Sequence, residues 1–182
     1  MELRDKSKIR YWADKYKREC NSDILKLEKE LLQLKFDIRK RDYLYLTKDE
    51  LKKVIKWKLC TQPGRKTMNL NRLETKSNNY IKCITSDALT ITNDYLSFKK
   101  LTNLIPGVGD AIGSTILHFF HSKRYPIWDF RARWSIQLGI NHITIKGWKD
   151  YVCFCRKTAE KYKVCMRTLD RALWQYSKEN QK

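Results

Sequence analysis

The chain has 182 residues, enough for one substantial core or two small helical layers, and its 39 Lys and Arg against 20 Asp and Glu leave a net charge of +19. That excess favours a polyanionic partner such as nucleic acid, where each phosphate neutralised releases counterions. No apolar run is long enough for a membrane span, no secretory segment precedes the charged N-terminus, and the six cysteines are dispersed, so a membrane protein and a secreted disulfide scaffold are set aside for a cytoplasmic chain with reduced thiols.

Helical periodicity dominates from the start. Glu2–Cys20 is highly charged, with Ile9, Trp12, Ala13 and Tyr16 at helical spacing. Asn21-Ser22-Asp23 breaks it and caps a second helix, whose stripe is Ile24, Leu27, Leu31, Leu34 and Ile38. Thr47-Lys48-Asp49-Glu50 is a capping box opening a helix to about Trp57 or Leu59. Gln62-Pro63-Gly64-Arg65-Lys66 is expected as a basic loop, followed by helices around Asn69–Thr85 and Ser86–Thr102. An apolar helix over Ser114–Phe120 and another from Phe130 come next. Gly139-Ile140-Asn141-His142 is a break before closing helices around Lys146–Ala159 and Val164–Lys178. No strand pattern or repeat competes, so the fold expected is all-α with roughly eight to ten helices.

The densest pattern lies between Leu101 and Trp134. Pro106 stops a helix, and Gly107 and Gly109 permit backbone angles that other residues avoid, so the next helix opens with its N–H groups at the turn. Those groups and the positive end of the helix dipole suit a phosphate oxygen. Beyond that helix, Tyr125-Pro126-Ile127-Trp128-Asp129 places a carboxylate after a proline-fixed turn.

Leu104-Ile105-Pro106-Gly107-Val108-Gly109, an apolar helix, and Pro126-x-x-Asp129 in this order and spacing resemble the helix-hairpin-helix DNA glycosylases, the superfamily of endonuclease III and the adenine-mispair glycosylases. In that superfamily the hairpin reads Leu-Pro-Gly-Val-Gly, and the essential aspartate follows in a Phe-Pro-x-x-Asp-like segment. The likeness covers roughly 35 residues around the active centre and says little of the rest. It implies two helical subdomains with the hairpin beside an interdomain cleft. The middle subdomain would span approximately residues 44–138, with the hairpin at 101–118. Residues 1–43 and 139–182 would pack as the second. It also implies an enzyme that binds duplex DNA as a monomer, bends it from the minor groove, extrudes one nucleotide and hydrolyses its N-glycosidic bond to leave an abasic site.

On this reading Asp129 is the catalytic residue. Cleavage passes through an oxocarbenium-like sugar, and a carboxylate near C1′ stabilises charge that appears only in the transition state and can orient the attacking water. Asp129 also directly precedes the helix from Phe130 and can serve as its N-cap; one oxygen can cap while the other acts. The backbone amides of Gly107, Val108 and Gly109 would meet a phosphate, with a monovalent cation held by hairpin carbonyls as in the family. Lys66, Lys123, Arg124, Arg131 and Arg133 are candidate clamps on the DNA backbone, although any one of them is also an ordinary surface charge. Trp57, Tyr125 and Trp128 are candidates to flank an extruded base, ahead of Tyr11, Trp12 and Tyr45, and Gln62 to fill the gap that base leaves. Each of these aromatics can equally be core.

Lyase-competent members carry a lysine just after the hairpin glycines. That position falls on Ala111 here, which points to hydrolysis by water, with Lys58 and Lys66 the lysines that could approach from elsewhere. Some members carry a four-cysteine iron–sulfur cluster. Cys153, Cys155 and Cys165 supply three cysteines at unmatched spacing, and no Cys-x-x-Cys pair exists for zinc, so no cofactor and no side-chain metal site are expected. The rival readings are a non-catalytic hairpin module that binds DNA and an abasic-site lyase. The base is open: alkylated, deaminated, mismatched, or an enzymatically modified base of the phage type.

Overall fold

The chain's helical periodicities become ten α-helices and no strand among the described residues, 5–139 and 146–181 of a computed structural model. They are α1 (Lys6–Glu19), α2 (Ser22–Arg39), α3 (Lys48–Lys58), α4 (Pro63–Glu74), α5 (Asn78–Thr90), α6 (Asp94–Leu104), α7 (Asp110–Phe120), α8 (Phe130–Gly139), α9 (Trp148–Lys161) and α10 (Met166–Asn180). None of them is long and apolar enough to cross a membrane.

The helices group into two compact units: Asn21–Phe120, and Met1–Cys20 with His121–Lys182. The boundaries lie at Cys20/Asn21 and Phe120/His121 rather than near residues 44 and 138. The reason is packing. α2 lies on α3 and α7, whereas α8 lies on α10.

In the first unit α7 is the centre. Every residue from Ile112 to Phe120 is buried, as expected for a helix apolar on all sides. Its two central hydroxyls are satisfied within the helix, Ser114 and Thr115 donating to the Ala111 carbonyl at 3.0 and 2.7 Å. Against α7 pack α2, α3 and α6. Buried Leu31, Leu34 and Ile38 of α2 come from the expected stripe, and each such side chain contributes about 1.5–3 kcal/mol on leaving water.

Three expectations for this unit are corrected. The segment Gln62–Lys66 is not a loop; Pro63 opens α4, where its fixed φ and missing N–H cost nothing in the first turn. The helices expected at Asn69–Thr85 and Ser86–Thr102 are three, α4, α5 and α6. Ser77 caps α5 through Tyr80 N–H (3.1 Å), and Asn93 caps α6 through Tyr95 and Leu96 N–H (both 3.0 Å).

In the second unit α1 packs on α10 through Ile9, Trp12, Ala13 and Tyr16, all buried. Trp12 meets Tyr176 edge-on at 5.5 Å and Tyr16 meets Trp174 at 5.4 Å. α10 also carries α8 and α9. Of the expected break at Gly139–His142, Ile140, Asn141 and His142 lie outside the described residues.

The capping box at Thr47 forms as expected and gains a third partner. Thr47 N–H donates to Glu50 Oε2 at 2.8 Å, Glu50 N–H donates to Thr47 Oγ1 at 3.3 Å, and the Arg41 guanidinium grips both Glu50 oxygens. Burial alone would raise the Glu50 carboxyl, but the hydrogen bonds from Arg41 and Thr47 outweigh it and hold it below the ordinary value. A lowered folded pKa means stability that is full above the unfolded carboxylate value, about 4.3, and lost as pH falls through the folded one. Glu50→Gln should therefore unfold about 1–2 kcal/mol more easily at neutral pH and show a flatter acid limb, read by urea titrations from pH 7 to 3. Equal acid limbs for variant and wild type would remove Glu50 from the pH dependence.

Candidate active site

Residues 125–129 lie in neither helix nor strand, so any buried carbonyl among them needs a donor from elsewhere. α9 supplies one donor to this stretch and one to the residue ahead of it. Tyr151 Oη donates to the Ile127 carbonyl at 2.8 Å, and Arg156 Nε donates to the Arg124 carbonyl at 2.8 Å. Tyr151 is fully buried. Its phenol is pushed well above the usual range by that burial and further by the buried Cys155 beside it and the carboxylates of Asp170 and Asp129, so it remains a protonated donor. Ahead of the segment, Arg124 and Tyr125 N–H both donate to the His121 carbonyl.

The segment ends at Asp129, which is half-buried and caps α8. Its Oδ1 accepts from Arg131 N–H at 2.9 Å, and its carbonyl accepts from Arg133 N–H at 3.0 Å. The expected cap is thus observed, with the positive end of the α8 dipole beside the carboxylate.

Aromatic rings surround this turn. Tyr125 is 1% exposed and stacks on Trp148 at 6.1 Å, while the guanidiniums of Arg124 and Arg156 lie 5.2 and 5.4 Å from its ring. Trp128 is half-buried, meets Tyr151 edge-on at 5.2 Å, and carries the Arg133 guanidinium at 4.4 Å. Arg131 lies over Trp174 of α10 at 5.5 Å. Lys123 is exposed. Asp129, Lys123, Arg124, Tyr125, Trp128, Arg131 and Arg133 therefore all fall in one unit.

The other expected residues fall in the Asn21–Phe120 unit. Gly107 has φ +83°, in the left-handed region, and a Cβ there would stand 2.3 Å from the Asn69 carbonyl oxygen of α4. The turn is thus pressed against the helix that carries Lys66. Gln62 is exposed at the N-terminus of α4, and its Oε1 accepts from Arg65 Nη1 at 2.8 Å. Gly109 is exposed with open space around it and leads into α7, whose first N–H groups have no acceptor inside the helix. An open concavity of ≈ 800 Å³ along α4 is lined by Pro63, Gly64, Thr67, Met68, Asn71, Arg72 and Thr75, a helix face rather than a base-sized enclosure.

Three of the expected roles change. Val108 N–H already donates to the Ile105 carbonyl at 3.0 Å and its side chain is 2% exposed, so this amide closes the turn instead of pointing at a ligand. Trp57 is 6% exposed and meets Phe119 edge-on at 5.1 Å, which makes it a core side chain. Tyr125 is packing for the same reason. Of the three ring candidates, Trp128 keeps a partly exposed face.

Sequence reasoning missed Tyr151, Arg156 and Trp174. Tyr151 and Arg156 stand five apart on α9, a spacing that carries no motif, and their acceptors lie 24 and 32 residues away. Among the described residues no group of three or more His, Cys, Asp or Glu side chains is placed to hold a metal ion. Compared with protein-family models, curated proteins and solved structures, the chain matches none.

The two turn glycines separate cleanly. Gly107→Ala should destabilise the fold by more than about 2 kcal/mol, from the left-handed angle and the clash with Asn69 together. Gly109→Ala, with nothing near its Cβ, should stay within about 0.5 kcal/mol. Urea midpoints at constant slope measure both, and similar losses would contradict the turn geometry.

Proposed function

We propose that this protein is a monofunctional DNA glycosylase that extrudes a damaged or modified base from duplex DNA and hydrolyses its N-glycosidic bond, leaving an abasic site. The observation that carries the reading is Asp129. It is a half-buried carboxylate held by the α8 N-terminus at the end of a segment pinned by α9. One of its oxygens is oriented by Arg131 N–H. A carboxylate so held needs little reorganisation to stabilise the oxocarbenium-like sugar and to orient, then deprotonate, the attacking water.

The net charge of +19 supports a polyanionic partner, and duplex DNA is the one proposed. The turn at Gly107–Gly109 supports a phosphate contact through the exposed start of α7. Its Leu104, Ile105 and Gly109 carbonyls already accept hydrogen bonds, from Tyr80, Val108, and Ile112 with Gly113. That leaves the carbonyls of Pro106, Gly107 and Val108 to hold a monovalent cation, which would draw a phosphate to the turn. Ala111 stands where lyases carry the attacking amine, which favours water as the nucleophile. The protein would act as a monomer in the cytoplasm, where DNA and reduced thiols coexist.

The test is base release from DNAs carrying alkylated, deaminated, mismatched and phage-type modified bases, scored by alkali cleavage, for wild type and Asp129→Asn. Asparagine caps a helix as well as aspartate, so the variant should keep its fold and its DNA affinity. It should lose about 10²–10⁴-fold in release rate. Binding without release from any substrate, unchanged by the substitution, would leave a non-catalytic DNA-binding module. Strand cleavage without alkali, trapped by borohydride, would identify a lyase.

A further inference from the structure

Some cations of the His121–Lys182 region both pair with an acid and lie over a ring: Arg167 pairs with Asp170 and sits 5.6 Å from the Tyr16 ring, and Lys178 reaches Glu19 at 3.3 Å and the Trp174 ring at 5.9 Å. Arg131 and Arg133 form no ion pair among the described residues; each instead lies on an indole, Arg131 on Trp174 at 5.5 Å and Arg133 on Trp128 at 4.4 Å. Arg133 Nε is buried with no hydrogen-bond acceptor. A guanidinium laid on a ring loses the freedom it would otherwise give up on binding, and with Nε of Arg133 buried it is the Nη end of that fork that would meet a phosphate. Residues two apart on a helix project to opposite sides, so the two forks diverge from the first turn that Asp129 caps.

We propose that Arg131 and Arg133 are pre-organised phosphate clamps that grip the nucleic-acid strand on either side of the nucleotide presented to Asp129. Trp174 is the positioning residue that braces Arg131. This inference rests on the DNA reading above but not on base excision. A planar fork aimed by stacking suits the bidentate geometry of a phosphate, and two forks straddling one carboxylate match a strand whose phosphates flank one sugar. The carboxylate meets the sugar and the arginines meet its phosphates, so like charges are kept from meeting unscreened.

The experiment is fluorescence anisotropy with a short labelled duplex carrying an abasic-site analogue, across a salt series. It compares wild type with Arg131→Ala, Arg131→Lys, Trp174→Leu, Trp174→Phe, the double variant Arg131→Ala/Trp174→Leu, and Lys29→Ala, an exposed residue of α2, as a charge-matched control. Arg131→Ala should weaken binding about tenfold and lower the slope of log Kd against log salt by about one. Arg131→Lys should restore the slope but not the affinity, since an ammonium lacks the planar two-pronged fork.

Trp174→Leu should weaken binding about fivefold with every charge retained, and Trp174→Phe should recover most of that. In the Arg131→Ala background, Trp174→Leu should have no further effect, a non-additivity that loss of packing alone does not produce. Additive effects, or an Arg131→Ala change no larger than that of Lys29→Ala, would overturn the proposal whether or not bases are released. If wild type fails to bind the duplex at low salt, this proposal and the glycosylase reading fall together. If it binds through these arginines but releases no base, only the glycosylase reading falls.

Discussion

The candidate site depends on a stretch of backbone that belongs to no helix or strand. From Tyr125 to Asp129 the chain leaves helical geometry, and a buried carbonyl there would cost roughly 1–3 kcal/mol if it were left without a donor. Tyr151 removes that cost at Ile127, and Arg156 holds the Arg124 carbonyl just ahead of the stretch. In doing so they anchor the approach to Asp129, and the α8 N-terminus anchors its end. Three helices thus set one carboxylate. α9 holds the approach, α8 takes the cap, and α10 packs against both.

Within the two units many cations form ion pairs, ring contacts or both. Lys15, Lys17, Lys48, Lys52 and Lys100 pair with acids on helix surfaces. Such exposed pairs contribute little to stability and screen the surface charge. The arginines of the His121–Lys182 region lie on rings: Arg124 and Arg156 on Tyr125, Arg131 on Trp174, Arg133 on Trp128. Guanidinium is weakly hydrated and planar, so it is the cation that stacks at small desolvation cost. Lysines lie over rings too, Lys15 over Trp12 and Lys178 over Trp174 among them, so Arg131 and Arg133 are marked by a ring contact without an ion pair among the described residues.

The hairpin turn shows the same division between what a residue type permits and what its neighbours require. A glycine at position 107 was legible as a need for unusual backbone angles, and its φ of +83° agrees. The second reason for it, an Asn69 carbonyl where a Cβ would sit, comes from a helix thirty-eight positions earlier in the chain and has no local sign. Val108 is the counter-case. Read along the chain it is one more turn amide, but the turn closes on its own N–H, as short turns do when a carbonyl three residues back is within reach.

By itself the sequence determined what depends on neighbours within a turn or two: the helical class, the capping box at Thr47 and Glu50, the buried stripes of α1 and α2, and Asp129 as the α8 cap. It blurred α4 to α6, because Ser77 and Asn93 act as caps only if the chain bends there, and their side chains read equally well as helix surface. Tertiary structure alone decided which rings are core, so Trp57 and Tyr125 went to packing and Trp128 stayed half-buried. It alone brought Trp174 to Arg131 across 43 residues and set Tyr151 under Ile127. The physical reason is range. Caps and amphipathic stripes are fixed by contacts three or four residues apart, whereas stacking and buried-carbonyl rescue depend on where distant helices meet.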